Sequence, residues 1–433
     1  MWSASILTLA SGPLGCDLGA LKPKDTAMRR LALPLALLLA SAAPHALAAK
    51  AKPLPAWVIA HRDAIVLDTH YDTPANFHVP GWDMMDRHSA KVDGSQVDYP
   101  RMVQGGVDGG FFAIFTPQGA RGPEANAKAR DFALVRATEI HEMVAKHGDK
   151  LAIALTADDA QKILDGKKRF VFLSMENGSP VAGDVGLMSA FYALGVRMMG
   201  PVHFLNNDLA DSATDKPEWG GLSPSGKAFV AEANRLGIVL DASHASDQVL
   251  DQMLALSKAP IILSHSGCKA IFDNPRNIDD DHLRALAAKG GVIQINAFSN
   301  YMVPTPKIPE REAAMGALMK SIGMTGRDMS PEQRKAFLAG KANIDAKWPV
   351  PRANLDDYMK HMLHAIAVAG IDHVGVSGDF DGGGGVDGMN DVTDYPAITQ
   401  RLMAAGYSKA DVAKVWGGNA LRVLRAAEAA KGK

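Results

Sequence analysis

The chain has 433 residues, enough for one large domain or two or three small ones. Its 46 Lys and Arg nearly balance its 47 Asp and Glu, so composition offers no basic surface for nucleic acid and no acidic tail. Aromatic content is only 6%, and 41 glycines punctuate the chain, which suits many helices packed around short loops.

The first fifty residues read as a targeting segment. Met28-Arg29-Arg30 precedes an apolar run from Leu31 to Ala43, and Ala46-Leu47-Ala48 is a small-residue cleavage pattern. This is the layout of a secretory signal cut near Ala48, with Met28 as the effective start and residues 1–49 absent from the mature chain. The run is too short to remain as a membrane anchor. A periplasmic or secreted protein is expected. One cysteine, Cys268, stays in the mature chain, so no internal disulfide is available. The fold must rest on its core and on any metal it binds.

From about residue 57, short β-rich runs alternate with longer helical patterns, the βα signature of a parallel sheet. Eight strand candidates follow in order: Ala64–Leu67, Val107–Phe115, Phe170–Ser174, Val196–Val202, Gly237–Asp241, Pro260–Ser264, Gly291–Ala297 and His373–Ser377. Most are continuously apolar, as strands buried on both faces are. Helical periodicity marks Glu124–Lys146, Gly226–Arg235, Ser246–Leu256, Asp279–Lys289, Leu355–Ala369 and Ser408–Ala430. Thr73–Arg101 reads as a long loop, and Ser299–Pro351 as an insertion between the seventh and eighth strands. The expected fold is α/β: one (β/α)₈ TIM-type barrel domain over residues 50–433, carrying the insertion at about 299–351.

Such a barrel places its chemistry at the C-terminal ends of its strands. Polar residues collect there. His70 and Asp72 follow the first strand, Glu176 the third, His203 the fourth, His244 the fifth, His265 the sixth and Asp379 the eighth. Each alone reads as an ordinary loop or capping residue. Together they put imidazoles and carboxylates on one rim, which is a metal site. The set exceeds one tetrahedral shell, so two ions are expected, with Glu176 as the bridge. Two such ions generate a hydroxide nucleophile without a serine or cysteine. No G-x-S-x-G elbow competes, Gly382–Gly385 lacks the Lys-Ser/Thr of a phosphate loop, and Cys268 reads as packing.

The segments Asp68-Thr69-His70-Tyr71-Asp72-Thr73-Pro74, Met175-Glu176-Asn177-Gly178, His203 with Asp208-Leu209-Ala210-Asp211-Ser212, Gly237 to His244, Ser264-His265-Ser266, Asn274-Pro275-Arg276-Asn277, Asp379-Phe380-Asp381-Gly382 and Gly417-Gly418-Asn419-Ala420-Leu421-Arg422 stand in this order. In them the chain resembles the membrane (renal-type) dipeptidases, the M19 peptidases, over nearly all of its mature length. The resemblance implies a barrel holding two Zn²⁺ ions and a small dipeptide substrate, including dipeptides with a C-terminal D-residue. It implies His70 and Asp72 on one zinc, His244 and His265 on the other, and Glu176 bridging both. His203 would contact the substrate near its scissile carbonyl, Arg276 would anchor its C-terminal carboxylate, and Asp379 would shuttle a proton to the leaving amine. A homodimer is compatible with it.

Three places depart from the family pattern: Tyr71 where Asn is common, Asn206-Asn207-Asp208-Leu209 in place of Asn-Thr-Pro-Trp, and the 299–351 insertion. They are expected at the substrate mouth. Two other readings are weighed against a dipeptidase. One is another binuclear barrel amidohydrolase acting on a cyclic amide or lactone, and the other a catalytically silent metal- or peptide-binding relative.

Overall fold

Continuously apolar runs need burial on both faces, and a barrel wrapped in helices supplies it. The computed structural model describes residues 53–323 and 329–432. The expected export signal and its cleavage point lie outside them. The described residues belong to one contact unit, Pro53–Lys433. Among them, no helix is long and apolar enough to cross a membrane.

The strands are β1 (Leu67–Tyr71), β2 (Gly109–Phe115), β3 (Leu151–Ile153), β4 (Arg169–Glu176), β5 (Val196–Met199), β6 (Val239–Leu240), β7 (Ile262–Cys268), β8 (Asn277–Ile278), β9 (Val292–Ile295) and β10 (Val374–Val376). All their pairings are parallel. One sheet runs β1-β2-β4-β5-β6 and the other β10-β9-β7. Two single parallel bridges, Asp241 with Ile262 and Tyr71 with Phe380, join β6 to β7 and β1 to the chain just past β10. The result is a closed ring of eight strands in the order β1-β2-β4-β5-β6-β7-β9-β10, as the alternating pattern predicts.

The structure moves some boundaries. Ala64 caps the helix Ala56–Asp63, so the first strand begins only at Leu67. His70 therefore lies inside β1 rather than beyond it; likewise Glu176 ends β4 and His265 sits within β7. The candidate at Val196–Val202 stops at Met199, since Gly200 leads into Pro201, which has no N–H for a ladder. Gly237 is the left-handed cap of the preceding helix (φ 77°), which shortens the next candidate to Val239–Leu240. β3 and β8 are additional. β3 pairs with Arg169–Val171 at the start of β4, leaving the later part of β4, from Leu173, to β5. The insertion contains two helices, Pro309–Ser321 and Pro331–Lys347. Arg334 ties it to the first long loop, donating to the Asp93 carbonyl at 3.0 Å and to the Asn76 side chain.

Two apolar clusters form the core, and the period of two decides which takes a given residue. Phe111, Phe170, Phe172, Met198, Val239, Ile262 and Val292 pack with Leu421 and Leu424 of the helix Asn419–Ala430. Their neighbours Phe112, Val171, Leu173, Met199, Leu240, Leu263 and Ile293 pack into the larger cluster with the surrounding helices. Helix starts are fixed by side-chain caps. Ser246 and Asp279 accept N–H bonds from Val249 and His282, and Ser408 forms a capping box with Asp411.

Candidate metal centre

At the C-terminal rim the polar residues meet. His70, Asp72, Glu176, His203, His244, His265 and Asp379 are all buried, none more than 7% exposed. The Glu176 carboxylate is the hub. Its Oε1 lies 3.0 Å from His244 Nε2, 3.4 Å from His265 Nε2 and 3.5 Å from His203 Nε2. Its Oε2 lies 3.7 Å from His70 Nε2, which is in turn 3.6 Å from Asp72 Oδ2. His244 Nε2 and His265 Nε2 are 2.8 Å apart. Possible ligand atoms form three overlapping groups: His70, Glu176 and His265; Glu176, His203 and His244; His70, Asp72 and Asp379. A further group, Asp247, Asp279 and His282, is half-buried on helix ends, where Lys269 pairs with Asp247 and Asp279 caps a helix.

His70, His265 and Asp379 are each aimed by a neighbour that strand-end counting does not reveal. Asp68 Oδ1 accepts the His70 N–H at 2.9 Å, and its Oδ2 accepts the Gly378 N–H at 2.8 Å and the Tyr395 hydroxyl. One carboxylate thus fixes both the first ligand strand and the residue before Asp379. Asp241 does similar work for His265. Its Oδ1 accepts the Ser243 and Ser264 N–H groups, and its Oδ2 accepts the Ser264 hydroxyl at 2.5 Å. The Ser264 hydroxyl hydrogen is engaged with Asp241, so towards His265 Nδ1, 2.8 Å away, Oγ accepts. Nδ1 therefore carries the ring proton, and Nε2 presents its lone pair to Glu176 and His244, the tautomer a metal ligand needs. Asn296, at the end of β9, donates to Asp379 Oδ2 at 3.1 Å. Asp68, Asp241 and Ser264 stand one to three positions before His70, His244 and His265 in the sequence, but Asn296 is 83 positions from Asp379.

Backbone strain gathers here as well. Asn177, His244, Asp379 and Asp381 have φ of 68°, 66°, 50° and 66°. Gly382 cannot be otherwise: a Cβ there would run into Asp72 Oδ2 and Asp379 Oδ1.

The family model for membrane dipeptidase (peptidase family M19) matches residues 58–433. The chain belongs to peptidase family M19. Among curated proteins it is 29% identical to dipeptidase verJ of Clonostachys rogersoniana, over 84% of this chain and 85% of that one. It is 30% identical to dipeptidase aclJ of Aspergillus oryzae, over 76% and 69%. The solved structure of the probable dipeptidase PvdM from Pseudomonas aeruginosa superposes with a TM-score of 0.73 at 31% identity, covering 86% of this chain and 98% of that one. A Rhodobacter sphaeroides metallopeptidase liganded with a phosphinate mimic of L-Ala-D-Ala shares the fold: TM-score 0.64, 23% identity, 84% and 100% covered. The chain is accordingly an M19 metallopeptidase of the dipeptidase kind, on a TIM-like barrel.

The electrostatics of this M19 site suit cations. Burial alone would lower the His70 pKa, but the carboxylates of Glu176, Asp72 and Asp379 raise it to about 10. Burial, Arg276 and His203 hold His244 well below the ordinary imidazole value, against Glu176. Glu176 itself, despite burial, is held well below the usual carboxylate range by His203 and His70 and by the adjoining His244 and His265 rings. His70 Nε2 and Glu176 Oε2 are buried without a hydrogen bond. A cluster of converging nitrogen and carboxylate donors with unsatisfied atoms fits divalent metal.

The remaining expected residues fall around this hub. The His203 ring packs against Phe115 and Phe204, with centroids 5.0 and 4.0 Å away. Arg276, 3% exposed, donates from Nη2 to the His265 carbonyl at 3.1 Å and lies over the Tyr301 ring at 5.3 Å; its Nε has no hydrogen bond. Cys268 is wholly buried beside the His361 carbonyl, and burial pushes its thiol up to about 12, which fits packing. Tyr71 corrects an expectation. It is fully buried, edge-on to Phe112 at 6.0 Å, and therefore lies in the core rather than at the mouth, because strand alternation turns it away from His70. Asn207 and Leu209 are also buried, with Asn207 donating to Asn177 and to the Pro201 carbonyl. Asn206 and Asp208 are half-buried, and Asp208 pairs with Arg121 at 2.7 Å.

Proposed function

We propose that this M19 enzyme is a zinc-dependent dipeptidase, acting also on dipeptides with a C-terminal D-residue. The observation that supports it most is the Glu176 carboxylate set within 3.0–3.7 Å of four buried imidazoles, with a buried arginine close by. Two Zn²⁺ would be held here, one by His70 and Asp72 and the other by His244 and His265, with Glu176 serving both. When bound, the pair supplies a hydroxide nucleophile at neutral pH and polarises the scissile carbonyl.

The chain's own groups do the rest. Arg276 binds the substrate's C-terminal carboxylate, for which its unpaired Nε–H is available. His203 donates to the carbonyl oxygen as negative charge grows on it. Asp379, whose pKa burial raises against the pull of His265 and His70, takes the proton of the attacking water and gives it to the leaving amine. Asn296 holds Asp379 Oδ2 for that transfer. The C–N bond breaks, water is consumed, and a free acid and a free amine leave.

Chelation followed by zinc add-back, assayed on a panel of L-L and L-D dipeptides, tests the reading. Activity should vanish on complete metal removal and return with zinc; full activity in metal-free enzyme would refute it. The reading includes export on the signal at residues 28–48, which cell fractionation checks.

A further inference from the structure

In the ring order, β2 stands four strands from β7 in either direction, so the two lie on opposite sides of the barrel. Arg276 comes from the loop after β7, and the metal cluster lies between. A dipeptide whose carboxylate is held by Arg276 and whose peptide bond lies over the cluster therefore points its N-terminal residue at the β2 side.

That side has a cavity of about 550 Å³. It lies between the loop after β2 and the helix Pro123–Lys146, with Ser179 at its edge. Pro117 and Phe132 are also walls of a small gap that reaches the ligand Asp72, so the cavity begins one side chain from the cluster. From the helix, Ala125, Ala129 and Phe132 line it at i, i+4 and i+7, flanked by Glu124, Asn126 and Lys128. Two of the three are alanines, and their missing side chains are what leave the space. The opposite wall is pinned in place: Arg121 pairs with Asp208 at 2.7 Å and Glu218 at 2.6 Å and lies over Trp219 at 5.4 Å. A volume of this order takes a large side chain with room to spare.

We infer that this cavity is the subsite for the side chain of the substrate's N-terminal residue, and that it selects bulky apolar residues there. The inference rests on the dipeptidase reading above. Its chemistry is burial: an aromatic or leucyl side chain removes apolar surface from water against Phe132, Pro117 and the two alanines.

The experiment measures kcat/KM for Gly-Ala, Ala-Ala, Leu-Ala and Phe-Ala, with Ala-Phe as the reversed control. For the native enzyme, Phe-Ala should exceed Gly-Ala by roughly tenfold to a hundredfold. Filling the cavity in Ala125→Leu/Ala129→Leu should cut that ratio at least tenfold. Ala127→Leu, on the same helix but away from the cavity, should leave the ratio as it is. Ala129→Met repeats the test if melting curves show the double variant misfolded. A ratio near one in the native enzyme, or one untouched by filling, overturns the subsite alone. No turnover of any dipeptide overturns both the subsite and the dipeptidase reading.

Discussion

Ser264→Ala isolates one half of the metal centre. The serine's hydroxyl joins Asp241 Oδ2 at 2.5 Å to His265 Nδ1 at 2.8 Å, and all three residues are buried. Its loss leaves the ring N–H of His265 without an acceptor and frees the ring to take the other tautomer, which would put a proton on the ligand nitrogen. Asp241 keeps its two backbone donors on Oδ1 and loses its hydroxyl donor. An unsatisfied buried polar group costs about 1–3 kcal/mol, and loss of such an outer partner weakens metal binding about 10–100-fold. The weakening should fall on the ion held by His244 and His265. His70 is aimed separately, through Asp68, and should keep its ion. Zinc titration of the apoenzyme by calorimetry should therefore show two equal-stoichiometry steps of which only the weaker has moved, with the apo melting temperature down by a few degrees. Two unchanged affinities would refute the tautomer argument. Two equally weakened ones would show that the halves are not independently supported.

Glu176→Gln keeps shape but removes the bridging charge; kcat should fall by about a thousandfold or more, and metal analysis should find less than two zincs per chain. Arg276→Ala should lower kcat/KM for free dipeptides by roughly 10–150-fold, the worth of a charged hydrogen bond of about 1.5–3 kcal/mol, while dipeptide amides are nearly unaffected. An equal loss on both substrates would favour a cyclic-amide or lactone hydrolase. Gly382→Ala forces a methyl group against Asp72 and Asp379 and should reduce activity at least tenfold, with metal content the companion measurement. Burial raises the Asp108 carboxyl to about 6, against its bond from Val66 N–H and the charge of Arg169. A folded pKa above the unfolded one gives stability that is complete below about pH 4 and lost as pH rises through 6. Asp108→Asn should flatten that slope, by about 1–3 kcal/mol across the window, in denaturant melts at pH 4 and 6.5.

The strand ends carried most of the legible signal. Imidazoles and carboxylates placed after apolar runs need only the barrel to bring them together. What escaped was of two kinds. β3 and β8 are short strands that pair only with β4 and β7, outside the ring of eight that the alternating pattern counts. Asp68, Asp241, Ser264 and Asn296 act through neighbours, and their partners come from other strands, so nothing in the local sequence separates them from ordinary turn residues. Tyr71 failed for a simpler reason. It stands between two ligands in the chain, but a strand sends alternate residues to opposite faces.

The ring is closed at two seams, and each seam is a single bridge. The first half-barrel is built from residues 67–240 and the second from 262–376, so the halves are also consecutive in the chain. His244 and His265 face each other across one seam, and His70 and Asp72 face Asp379 across the other. Metal ions held at these two places would act as rivets between two separately laced shells, each where the backbone stitching is thinnest. Emptied of metal, the protein should breathe along these two lines first, with amide exchange rising at Asp241–Ile262 and Tyr71–Phe380 while the interiors of both sheets stay protected.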